Sequence, residues 1–123
     1  MKQNVIKEKS FAFAVRIVKT YQHLVKTHRE FILSKQVLRS ATAVGALVRE
    51  AVNAESRQDF VHKLGMAQKE CDETIYWLEL LHTTEYLTNP EYESIQNDAT
   101  ELLKIIRSII LTTKSKPEGN HNS

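Results

Sequence analysis

Two pairs of residues have the spacing that puts a carboxylate and an imidazole on one turn of helix: Glu79 with His82, and Asp59 with His62. In di-metal bundle enzymes, two helices each carry an E-x-x-H pair. The other two each add a glutamate, and all point inward. Here both pairs fall in a single helical segment, and Glu79 and His82 lie just outside the core positions marked by Leu78 and Leu81. The first helical segment offers only Glu8 near its start and Glu30 beyond its end. His23, His28 and His121 have no metal-ligand spacing. A metal-dependent bundle enzyme is therefore the weakest reading, and no metal or cofactor is expected. Nucleophilic catalysis has no better support. Cys71, the single cysteine, sits on an apolar stripe with no histidine predicted beside it. Ser10, Ser34 and Ser56 read as helix caps, and Gly45, Gly65 and Gly119 are isolated, so no glycine-rich loop cradles a phosphate. No catalytic residue is assigned and no enzymatic activity is expected.

Charge is the remaining chemistry. The net value of +2 is small, but residues 1–53 hold ten Lys/Arg and three Asp/Glu, a net of +7, while residues 54–123 carry a net of −5. Such an asymmetry fits a basic face for an anionic partner, or complementary halves that attract within a fold or between subunits. Lys7, Lys9, Arg16, Lys19, Lys26 and Arg29 concentrate in the first helical segment, and Lys35, Arg39 and Arg49 follow in the second. These nine are the candidate nucleic-acid contacts, because neutralising phosphates requires clustered cations.

The elements that position these residues are helical. A 123-residue chain with 41% hydrophobic and 26% charged residues makes one ordinary domain. Three glycines and two prolines are too few for the turns of a sandwich or barrel. No apolar run is long enough to span a membrane, no secretory signal is recognisable, and one cysteine suits a reducing cytoplasm. Four segments show helical periodicity, over about residues 7–27, 35–53, 57–86 and 90–113. Residues 1–6 are expected to fray and 115–123 to be a disordered tail. The first segment has two adjoining stripes, Phe11, Ala14, Val18, Tyr21, Val25 and, beside it, Phe13, Ile17, Leu24. The second carries Val37, Ala41, Val44, Val48 and Ala51, with Ser34 as its expected N-cap. Gly45 in mid-helix points to close approach of another helix.

The third segment has the longest stripe, Phe60, Leu64, Ala67, Cys71, Thr74, Leu78 and Leu81, opened by a capping Ser56. The fourth, opened by Asn89 as cap with Pro90 at the first position, follows with Tyr92, Ile95, Ala99, Leu102, Ile106 and Ile109. Short links predict an all-α fold, an antiparallel up-down-up-down four-helix bundle occupying residues 7–114. In that register Arg39 meets Glu70 or Glu73. The second stripe of the first helix (Phe13, Ile17, Leu24) and the Met66, Trp77, Leu80 flank of the third are surplus apolar surface, the expected oligomer interface.

The run from Gln36 to Ala46 (QVLRSATAVGA), followed by Arg49-Glu50-Ala51, resembles the four-helix-bundle family encoded in intervening sequences of bacterial 23S rRNA genes. Asp59-Phe60-Val61-His62-Lys63-Leu64, Lys69-Glu70-Cys71-Asp72-Glu73-Thr74 and Tyr76-Trp77-Leu78-Glu79-Leu80-Leu81 are similar to the same family's third helix. The resemblance covers about residues 9–112. It departs from the family pattern at Ala43, where a serine is usual, and at Leu47, where an asparagine is usual. It implies an antiparallel bundle assembled as a ring-shaped homopentamer, with a related branch in the nucleic-acid-binding accessory protein of diversity-generating retroelements. The expected function is thus a non-enzymatic, cytoplasmic, oligomeric accessory protein associated with RNA or other nucleic acid and possessing no membrane segment. The alternative is a protein–protein scaffold whose charge serves assembly alone.

Overall fold

Apolar residues that recur every three or four positions share a surface only on a helical backbone. The computed structural model describes residues 2–117, with side chains from Asn4 onward. The described residues form four helices and no strand: α1 (Lys2–His28), α2 (Leu33–Val52), α3 (Arg57–Thr83) and α4 (Asn89–Ser115). α1 packs against α2 and α4, and α3 packs against α2 and α4, so the four helices surround one core. Val37, Ala41, Val44, Val48 and Ala51 of α2 are buried there. They share the core with Leu64, Ala67, Cys71, Leu78 and Leu81 of α3 and Ile95, Ala99, Leu102, Ile106 and Ile109 of α4.

Polar contacts fix the register between neighbours. Arg39 pairs with Glu70 at 3.2 Å and with Glu73, while Glu50, farther along α2, pairs with the earlier Lys63 of α3 at 3.0 Å. Across α1 and α4, Lys9 lies 3.4 Å from Glu101 and Arg16 lies 2.6 Å from Asp98. One buried polar contact joins α2 to α3: the Thr74 hydroxyl donates to Ser40 Oγ at 2.8 Å, and Ser40 donates to the Val37 carbonyl at 3.3 Å. Small residues let α1 and α2 approach. A methyl group built on Gly45 would sit 3.5 Å from the Ser10 carbonyl of α1, an ordinary contact distance.

The stripe assignment within α1 is the main correction. Phe13, Ile17 and Leu24, expected as surplus surface, line the core, and Ile17 is fully buried. Of the other stripe, Phe11 (57% exposed) and Val18 face outward while Ala14, Tyr21 and Val25 are half-buried; Val15, in neither stripe, is exposed as well. The inner stripe wins because it continues through Ser10 to Ile6, giving it one more buried anchor and a small residue where α2 comes closest. Residues 2–6, expected to fray, are accordingly helical and anchored by Ile6.

The helix ends differ from expectation in informative ways. Ser34 does not cap α2. It is buried inside the first turn, and the cap position, Ile32, has no side-chain acceptor. Glu30 does the work: its carboxylate accepts the backbone N–H groups of Ile32 (3.1 Å), Leu33 (3.0 Å) and Ser34 (2.6 Å). The Ser34 hydroxyl donates back to the Glu30 carbonyl at 2.6 Å. Burial pushes the Glu30 carboxyl up, but these donors outweigh it and hold the group below the usual carboxylate range. Ser56 caps α3 by accepting from the Asp59 N–H at 3.0 Å. α3 stops at Thr83 rather than continuing to residue 86, because Glu85 turns into the left-handed region at φ 72 and the Tyr86 N–H returns to the Leu81 carbonyl at 2.8 Å. α4 starts one residue earlier than expected: Thr88, not Asn89, is the cap, and Glu91 completes a reciprocal capping box. At its other end the Arg57 guanidinium donates to the carbonyls of Thr113, Lys116 and Pro117, so positions 115–117 of the expected tail are held; residues 118–123 of that tail lie outside the described residues.

Two outcomes are expected in chemical denaturation followed by circular dichroism. Ile17→Ala should cost about 2–5 kcal/mol, whereas Val18→Ala should cost under about 1 kcal/mol; equal losses would contradict the α1 assignment. Glu30→Ala should cost about 1–2 kcal/mol at neutral pH. Because the native carboxyl titrates below its unfolded value of about 4.3, its stabilisation is complete above that pH and is lost as pH falls through the lower native value. The gap between wild type and Glu30→Ala should therefore close in acid.

Candidate nucleic-acid interface

Helix α1 presents cations on its outer and α4-facing sides, and α2 adds to them at the α1–α2 turn. The nine candidate cations divide by their partners. Lys9, Arg16 and Arg39 are committed to acids of the second half, the contacts that fix helix register. Arg16 also donates to the Ser94 hydroxyl at 2.7 Å and the Ser94 carbonyl at 3.3 Å. Arg49 lies over the Phe11 ring, 5.7 Å from its centroid, where the guanidinium meets the ring's electron-rich face. Lys7, Lys19, Lys26, Arg29 and Lys35 are exposed, and among the described residues they have no acidic partner. Part of the basic excess of the first half is thus spent inside the fold, and the rest gathers on α1 and the α1–α2 turn. Between Lys9 and Arg49 the only acidic residue is Glu30, and its carboxylate is turned inward as a cap.

Arg16, Lys19 and His23 line a cleft of about 320 Å³ against Leu87, Glu91 and Ile95. Nearby, the His28 ring stands edge-on to His23 at 5.8 Å and to Tyr86 at 6.0 Å. These ring contacts place the α1–α2 and α3–α4 turns side by side. The Thr88 N–H donates to Glu91 and, with the nearby His23 and His28, holds its carboxyl below the usual range despite partial burial.

Of the residues first considered for catalysis, Asp59 and His62 lie at the start of α3 and Glu79 and His82 at its end. His82 stacks on Tyr92 with centroids 4.1 Å apart, and its Nε2 is 2.7 Å from Asn89 Oδ1. His62 and Asp59 line an open groove of about 710 Å³ with Gly65, Met66, Lys69 and Lys114. Among the described residues no group of three or more His, Cys, Asp or Glu is disposed to hold a metal. Cys71 is buried, its Sγ 3.5 Å from the Ala99 carbonyl, and burial pushes the thiol up to about 12. A thiol with that pKa supplies almost no thiolate at neutral pH.

Of the expected interface residues, Phe13, Ile17 and Leu24 belong to the core and offer nothing to a second chain. Met66 is exposed, while Trp77 and Leu80 are half-buried. The Trp77 indole donates to Glu73 at 3.1 Å and packs edge-on against the exposed Tyr76. Other apolar residues that face outward include Phe11, Val15 and Val18 on α1, Phe31 and Ile32 on the α1–α2 turn, and Leu111 on α4. Phe11 and Val18 were present in the sequence as part of the first α1 stripe, but that stripe reads equally well as core. Ala43 and Leu47 are half-buried, and Leu47 packs against the core, so the amide usual at that position has an apolar replacement here.

Fold and charge together define an all-α, four-helix protein with a basic α1–α2 side and no helix, among the described residues, long and apolar enough to cross a membrane. The model of the 23S rRNA-intervening sequence protein family matches residues 2–108, and the chain belongs to that family. A solved structure is similar at a TM-score of 0.88 and 58% identity, covering 89% of this chain and 98% of the other. That protein comes from Bacteroides thetaiotaomicron and is described as one of unknown function from the S23 ribosomal protein family. No curated protein matches the chain.

The Arg39 pairs are exposed, so their coupling should be small. A double-mutant cycle on Arg39→Ala and Glu70→Ala should give under about 1 kcal/mol, shrinking as salt is added. A larger, salt-independent value would mean the pair is a major stabilising contact.

Proposed function

We propose that this protein is a non-enzymatic accessory protein that associates with RNA through the basic α1–α2 side. In this reading it is an antiparallel up-down-up-down bundle that assembles as a homo-oligomer, a ring-shaped homopentamer, in the cytoplasm. The observation that carries the RNA reading is the stretch from Lys9 to Arg49, in which the one acidic side chain is consumed as a helix cap while Lys19, Lys26, Arg29 and Lys35 stay exposed. Between Lys9 and Arg49 phosphates meet cations without a competing surface carboxylate from that stretch; the exposed Glu8 and Glu50 lie just outside it. Membership of a family described by 23S rRNA intervening sequences supports the same reading. Falling partner numbers across α2–α3 and α1–α4 support the antiparallel arrangement. The inert Cys71 and the occupied His82 support a role without catalysis.

A second reading, a protein–protein scaffold without RNA, is favoured by one observation: the exposed Phe11, Val15 and Val18 stripe. Both readings place a subunit or partner contact on it, since an apolar stripe on an outer helix face is stabilised when covered.

Size exclusion with light scattering, read with the 260/280 nm absorbance ratio, tests both parts. The wild type should elute as an oligomer, and Phe11→Glu with Val18→Glu should dissociate it while the helical signal stays intact. RNA binding should weaken steeply with salt, and Lys19→Glu with Lys26→Glu should weaken it further and flatten the slope by about 1 or 2. An intact oligomer with no RNA affinity at about 50 mM salt would establish the scaffold reading instead.

A further inference from the structure

The α1–α2 turn has an unusual composition for a chain reversal. Turns are ordinarily built from polar and small residues. Here Phe31 is 51% exposed and Ile32 is 74% exposed, side by side at one end of the molecule. Glu30 makes this arrangement. Arg29 turns into the left-handed region at φ 55, and the Glu30 N–H returns to the Leu24 carbonyl at 3.2 Å. The Glu30 carboxylate is then drawn under the start of α2, and the chain beyond it leaves Phe31 facing out. Lys26, Arg29 and Lys35 flank the aromatic ring in sequence, all exposed. Among the described residues no aromatic ring or cation packs on Phe31.

An exposed aromatic face among unpaired cations is the combination that holds single-stranded nucleic acid: the cations track the backbone while the ring stacks on an unpaired base. We infer that the α1–α2 turn is a base-stacking site, with Phe31 as the platform and Lys26, Arg29 and Lys35 as phosphate contacts, so that the protein prefers single-stranded to duplex RNA. This rests on the RNA reading above and adds the class of RNA. Duplex bases are already stacked on one another and offer the ring no free face. An anionic bilayer is the less suited occupant. His28 and Tyr86 bring the α3–α4 turn to the same end, so a flat surface that met Phe31 would also meet the exposed Glu85. A single strand can run along the α1–α2 side and avoid it.

The test compares the full-length protein with Phe31→Ala and Phe31→Trp, using fluorescence anisotropy on a labelled unstructured oligouridine and on a labelled RNA duplex. Single-strand affinity should exceed duplex affinity. Phe31→Ala should lose about tenfold on the single strand and little on the duplex, with the salt slope unchanged. Phe31→Trp should keep the affinity, and in a Trp77→Phe background its emission should be quenched by oligouridine. Because Phe31 is exposed, an unchanged circular dichroism spectrum is expected for both variants. Salt-dependent RNA binding that is unaffected by Phe31→Ala would overturn the stacking site while leaving the basic-side reading standing. No binding of either RNA by any form at low salt would overturn both. Loss of binding to phosphatidylserine vesicles in Phe31→Ala, with RNA binding unchanged, would reassign the turn to a membrane surface.

Discussion

The carboxylate of Glu30 is the constraint on which the basic half of the molecule depends. A buried charge is costly unless its lone pairs are filled. Here the backbone N–H groups of Ile32, Leu33 and Ser34, at the cap and first turn of α2, and the Ser34 hydroxyl are arranged around Glu30: the N–H groups donate to its carboxylate and the hydroxyl to its carbonyl. One side chain thereby does two jobs. It satisfies donors that the first turn of α2 leaves without intrahelical partners, and it removes the only negative charge from the outer surface of α1 and α2 between Lys9 and Arg49. The sharpness of the turn, the outward setting of Phe31 and the lack of an exposed carboxylate between Lys9 and Arg49 share that single origin.

Electrostatics in this chain operate at two ranges. The basic first half and acidic second half are consistent with intramolecular attraction, since Lys9, Arg16 and Arg39 each find acids on α4 or α3. Exposed pairs of this kind add little stability one by one. Their larger effect is on register, because each excludes a slide of one helix along the next that would leave both charges alone. Of the cations left over, Lys26, Arg29 and Lys35 lie at the end where α1 turns into α2, and Lys7 and Lys19 lie farther back along α1. The charge asymmetry visible in the sequence is therefore divided between alignment of helices and a surface field, and only the second share is available to a partner.

Much of the fold was legible because the periodic stripes of α2, α3 and α4 are each the only broad apolar face of their helix. Val37 through Ala51, Leu64 through Leu81 and Ile95 through Ile109 occupy the core as their spacing requires. α1 was ambiguous for a physical reason: two stripes of similar hydrophobicity adjoin, and the choice between them is made by other helices, through the Ser10–Gly45 approach and the reach to Ile6. Caps were misplaced by a residue or more where the acceptor comes from outside the usual position, as with Glu30 ahead of α2 and Thr88 ahead of Asn89. The candidate site was legible only as a list of cations. Which of them are already paired depends on contacts across dozens of residues of chain, and local spacing carries no trace of that. The exposed ring of Phe31 was hidden for the same reason, because a lone aromatic in a link is indistinguishable from one that folds back onto the core.

The single thiol of this chain has a practical meaning. Cys71 sits in the dry centre between α3 and α4, with its proton held far above neutral pH. A reagent that attacks thiolates can reach it only during moments when the helices part. The side chain is thus a built-in clock for the breathing of the bundle, and it is silent for as long as the interior stays shut.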